Sequence, residues 1–82
     1  MWINIINISD FEIQDDRLYL YNKDKFMLAG IDMKQIKSIE MILNLGQLTV
    51  TTQGGVLYLY MDDKLSKRVM KAIEKYKESE GD

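Results

Sequence analysis

The sequence predicts a mainly β chain of about seven short antiparallel strands in two layers, closed by one C-terminal helix. Three observations predict it. From Trp2 to Met61, apolar residues alternate with polar ones in short runs bounded by Ser, Asn, Asp or Gly. After Met61 the apolar spacing lengthens to the helical period. The 82 residues include no cysteine and no histidine, so apolar burial must carry the fold without disulfides or the usual metal ligands. A hydrophobic content of 46% is enough to build such a core in one domain, residues 1–82.

"WINIINI" puts a first strand at about 2–8, β-branched and closed by Ser9–Asp10. "FEIQ" alternates over 11–14 and meets the turn residues Asp15–Asp16. "RLYLYN" gives a strand at 17–22, ended by the turn formers and charges of "NKDK". The next strand, 25–29, stops at Gly30. "KSIEMIL", 37–43, sets Ile39, Met41 and Leu43 on one face. "QLTVTT", 47–52, and "VLYLYM", 56–61, flank "QGG", where Gly54 and Gly55 can supply the positive φ of a hairpin turn. Leu65, Val69, Ala72, Ile73 and Tyr76 then share one stripe, which predicts a helix over 63–78. Asp62 or Asp63 suits its start, accepting from free amides at the positive end of the dipole.

One stretch admits two readings. Asp32 with Gln35 resembles a capping box, and Met33, Ile36, Ile39 and Leu43 share a helical face. A helix over about 33–43 would give an α+β chain with a single antiparallel sheet; the strand at 37–43 is the preferred reading.

The charge balance narrows the function classes. Thirteen acidic and eleven basic side chains give a net charge of −2, without the basic excess of a general nucleic-acid binder. No apolar run approaches the roughly 18 residues of a membrane span, and the N-terminal stretch lacks the flanks of a signal peptide. A cytoplasmic protein is expected. High Ile and Lys with two Ala, two Arg and no Pro fits the AT-rich genome of a low-GC bacterium or its phage, in which case the compartment is the host cytoplasm.

No catalytic group stands out. Ser9, Ser38, Ser66 and Ser79 have no histidine to activate them, and no glycine-rich phosphate loop is present. The pairs Asp15–Asp16 and Asp62–Asp63 read as turn and cap residues, because adjacent side chains point apart and no further ligand completes a calcium loop. Catalytic residues, metal ligands and cofactors are therefore all expected to be none, and the chain is expected not to be an enzyme.

"RLYLYNKDKFMLAGIDMKQIKSIEMI", residues 17–42, resembles the part of bacterial PH-type and GRAM-type domains in which a strand pair leads to a turn of the form I-x-x-x-x-I-x-x-I, here Ile31, Ile36 and Ile39. "GQLTVTTQGGVLYLYMDD", residues 46–63, resembles their last hairpin with the aspartates that open the closing helix. The resemblance implies the pleckstrin-homology superfold, a β-sandwich or partly open barrel whose helix plugs one open end. Lipid-reading members place Lys and Arg between their first two strands. The early turns here are "SD" and "DD", with Arg17 the only cation before Lys23, so phosphoinositide is not an expected ligand.

In such a sandwich Leu18, Leu20, Leu48, Val50, Leu57 and Leu59 point inward. Tyr19 and Tyr21 then lie on the outer face of one sheet, and Tyr58 and Tyr60 on that of the other. A half-exposed strand accommodates tyrosine for purely structural reasons, but tyrosine is also enriched where partners bind. Tyr58 and Tyr60 are the preferred contact pair, followed by Met61 with no evident strand partner. Trp2 belongs with them: "WINIINI" is apolar on both faces, which suits either a strand serving both sheets or an edge that pairs with a second copy. Lys64, Lys67, Arg68, Lys71 and Lys75 form a basic stripe on the helix, a solvated face or a contact for an anionic membrane, a phosphate backbone or an acidic protein. The expected function is a small non-enzymatic binding protein, an adaptor or inhibitor of another protein. Peripheral attachment to an anionic membrane through the basic stripe is the alternative, and association with nucleic acid a third.

Overall fold

The alternating runs pair into two sheets. The structure, a computed structural model, describes residues 2–80, the side chain of Glu80 excepted. Its strands are β1 (Trp2–Ile5), β2 (Asp10–Gln14), β3 (Arg17–Tyr21), β4 (Met27–Asp32), β5 (Ile36–Ile42), β6 (Gln47–Thr52) and β7 (Gly55–Tyr60), followed by helix α1 (Asp63–Glu80). One sheet has the order β1-β7-β6-β5 and the other β2-β3-β4. They remain two sheets and do not close into a barrel.

Register fixes which side chains meet in the core. Across the four-stranded sheet, Ile3, Leu57, Val50 and Ile39 form one inward row, and Ile5, Leu59, Leu48 and Met41 the next. The facing sheet contributes Leu18 and Leu20, paired with Ile31 and Ala29. Leu18, Leu20, Leu48, Val50 and Leu59 are wholly buried, each worth about 1.5–3 kcal/mol relative to exposure. The two LYLY segments thus place leucine in and tyrosine out, as the period of two requires.

Helix α1 covers one of the two long seams between the sheets. Leu65, Val69 and Ile73 are buried against the core. The helix lies along β5 and β6, and the Arg68 guanidinium sits 5.4 Å from the centre of the Phe11 ring on β2. Asp62 caps it: its side chain accepts from the Leu65 N–H at 2.7 Å and its carbonyl from the Ser66 N–H at 2.9 Å.

Several expectations need correction. The sheets are not wholly antiparallel, since β1 runs parallel to β7. The first strand ends at Ile5 rather than 8, because Asn7 takes a left-handed φ of 62°. Past that bend the Ile8 N–H donates to the Tyr60 carbonyl and the Ser9 N–H to that of Tyr21, so the chain steps from one sheet to the other. No helix forms over 33–43. Asp32 accepts from the Lys34 N–H as a cap would, but the turn is 3-10 and lasts only Met33–Gln35. Ile36 returns to extended geometry, and pairing with β6 wins over local helical spacing. Met61 is not unpaired: it is buried, and its N–H donates to the Gly46 carbonyl at 2.9 Å. Of the two glycines in the last hairpin, Gly55 alone has a positive φ.

Candidate binding surface

The outer face of the four-stranded sheet is built from three rows. Trp2, Val56, Thr51 and Ser38 form the first; Asn4, Tyr58, Thr49 and Glu40 the second; Tyr60, Gln47 and Ile42 the third. Glu40 is the sole charged side chain among them. This follows from the distribution of charge along the chain, for every acidic or basic side chain falls within residues 10–40 or 62–82. Strands β1, β6 and β7 therefore carry none, and β5 only Lys37 and Glu40. Outer sheet faces and edges usually carry charges that keep other chains away, and here only Lys37 and Glu40 of β5 are available to do so.

Three of the predicted contact residues meet on this face. Trp2 is 72% exposed at its edge. Tyr58 and Tyr60 are half-buried on the neighbouring strand. The Tyr60 hydroxyl accepts from Gln47 Nε2 at 2.8 Å, which holds that ring against its own sheet. Tyr58, flanked by Asn4 and Thr49, is the ring more available to a partner.

Tyr19 and Tyr21 lie on the outer face of the other sheet, away from this surface. The Tyr19 ring covers Gly30, so closely that a Cβ added there would come within 3.3 Å of it. The Tyr21 hydroxyl donates to Glu12 at 3.5 Å, and burial together with the Glu12 charge raises its pKa above the ordinary value. Both rings serve to cover their own strands.

The sheet face continues over an open edge. β1 pairs with β7 alone, and between β1 and β4 runs the seam that α1 does not cover. A groove of about 480 Å³ lies there, lined by Ile3, Ile5, Ile6, Leu28, Ile31 and Leu57 among others. Ile3 points inward by register yet is 47% exposed, and Ile6 is 58% exposed, because none of the described residues closes the gap. Ile6 and the groove were not anticipated as site features. The signal was present as the absence of charge from Trp2 to Ser9 and from Met41 to Met61.

The helix cations are arranged differently. Lys64, Lys67, Arg68, Lys71 and Lys75 are all exposed, and the first four line a groove between α1 and β5 that Lys75 does not join. Asp15 and Asp16 occupy the β2–β3 turn, with Asp15 in left-handed geometry at a φ of 58°. Among the described residues no three His, Cys, Asp or Glu side chains are grouped to hold a metal ion. No helix of the described residues is long and apolar enough to cross a membrane. Comparison with protein-family models, with curated proteins and with solved structures finds no match for this chain.

Proposed function

We propose that this chain is a small non-enzymatic protein-binding module, an adaptor or inhibitor, whose contact surface is the outer face of the β1-β7-β6-β5 sheet together with the open β1 edge. The observation that carries the reading is the combination of an almost uncharged four-stranded face with a 72%-exposed tryptophan and two tyrosines on it. Charged residues are depleted and aromatic residues enriched at the cores of protein interfaces. Trp2 and Tyr58 anchor the partner, and the threonines of β6 supply hydrogen bonds around them. The fold is read as PH-like on the order of seven strands and a closing helix, with α1 filling one seam of the sandwich.

The test is affinity capture with purified protein, followed by measurement of the captured partner's affinity for variants. Tyr58→Ala and Trp2→Ala should each weaken binding by more than about 1 kcal/mol while the thermal midpoint stays near that of the parent. Unchanged affinity in both variants removes this surface as the contact.

A second reading concerns the same edge. Ile3, inward by register but half exposed beside an unpaired strand edge, favours pairing of two copies through β1. Sedimentation velocity at rising concentration tests it. Dimers that disappear in Ile3→Lys support the pairing, and a monomer throughout rejects it.

A further inference from the structure

The groove between α1 and β5 has an apolar floor and a basic wall. Met41 from β5 and Met70 from α1 form the floor, both half-buried and packed on the core. Lys64, Lys67, Arg68 and Lys71 surround it, with Glu74 the one acid, and the space measures about 390 Å³. Four cations thus face one carboxylate in a chain whose net charge is −2. No carboxylate of the described residues pairs with any of the four; the salt bridge present elsewhere joins Lys34 and Asp16. Arg68 is steadied by the Phe11 ring, so one side of the wall is fixed.

We infer that this groove is a second binding site, for an acidic peptide segment carrying an apolar side chain. The apolar side chain inserts between the two methionines, and flanking carboxylates meet the lysines. Methionine suits such a floor because its unbranched thioether adapts to differing side chains. Charge complementarity sets the sign of the partner, and concavity sets its form. A membrane surface would need apolar side chains projecting beyond the cations to enter the acyl boundary. The exposed large apolar residues all lie outside β5 and α1, and here the apolar atoms sit at the bottom of the groove. A peptide side chain reaches them and a flat bilayer does not.

The site is separate from the sheet face proposed above. Met41 belongs to the inward row of β5, whereas that face is formed by the outward rows, and its anchors Trp2 and Tyr58 lie on β1 and β7, with β6 between them and β5. Both surfaces can be occupied at once, which is what an adaptor requires, and this inference stands or falls independently of the first.

A library of short random peptides displayed on phage, selected against the whole protein, tests it. Selected peptides should be enriched in Asp and Glu around a Leu, Ile or Phe. Their affinity should fall about tenfold or more in a Lys67→Glu, Lys71→Glu double variant and as salt is raised. A Lys23→Glu, Lys25→Glu variant, matched in net charge, should bind as the parent does. Replacing the apolar peptide residue by Ser should weaken binding to a similar extent. The inference is overturned by selection without acidic enrichment, by equal binding to both charge-reversed variants, or by indifference to the Ser replacement. It is also overturned if phosphatidylserine vesicles bind in a way that depends on Lys67 and Lys71 while the selected peptides do not compete.

Discussion

The Tyr76 hydroxyl donates to the Asp16 carboxylate at 2.8 Å, joining residues sixty positions apart. Asp16 also receives Lys34 Nζ at 3.1 Å, and its backbone carbonyl accepts from the Met33 N–H at 2.8 Å. One turn residue therefore ties the distal half of α1 to the 3-10 turn between β4 and β5. The Tyr76 bond, and after it Lys34, hold the Asp16 carboxyl below its ordinary pKa. With the folded value depressed, the stabilisation is complete above the ordinary carboxylate value and is lost as pH falls through the folded one. Tyr76→Phe should lower the thermal midpoint at neutral pH, and its gap from the parent should narrow below about pH 4. Thermal melts across that range check it; a gap that persists in acid contradicts the role given to the ionised Asp16.

Ser66 faces the core wholly buried, and its Oγ has no hydrogen-bond partner among the described residues. An unsatisfied buried hydroxyl costs free energy, and alanine is the better helix former. Ser66→Ala should stabilise the chain by about 1 kcal/mol, read by urea denaturation. A loss of stability would mean that the hydroxyl is satisfied in solution.

The turn before β6 depends on Gly46, which has a φ of 60°. A Cβ there would lie 2.7 Å from the Met61 carbonyl oxygen, on the residue whose N–H bonds back to Gly46. Gly46→Ala should destabilise by about 2 kcal/mol, combining left-handed strain with the clash. Gly54→Ala meets only Thr52 Oγ1, at 4.0 Å, with no positive φ, and should change stability by no more than about 0.5 kcal/mol. Equal effects at the two glycines would contradict the turn geometry.

Element type was legible in the sequence, and pairing was not. Leu18, Leu20, Leu57 and Leu59 fall inward because alternation is a local property of a strand, and α1 is found because Leu65, Val69 and Ile73 repeat at helical spacing. The parallel pairing of β1 with β7 joins residues more than fifty positions apart in sequence and leaves no local mark. The segment after Asp32 carried a true cap signal and a false helix, since the same aspartate cap, accepting from the Lys34 N–H, can open a 3-10 turn or an α-helix. For the contact surface, Trp2, Tyr58 and Tyr60 were identifiable as exposed aromatics. That they share a face, and that Tyr19 and Tyr21 do not join them, follows only from which strands are neighbours. Met41 and Met70 meet beneath the helix cations for the same reason.

The function proposed for this chain depends on a partner binding at the almost uncharged sheet face. Site-specific photo-crosslinking reads that contact in place, with benzoylphenylalanine at position 58, and at position 19 for comparison, in cells that express the protein. A discrete covalent adduct is expected from position 58, its mass naming a partner protein or a second copy, and none from position 19. Adducts from position 19 with none from position 58 would contradict it.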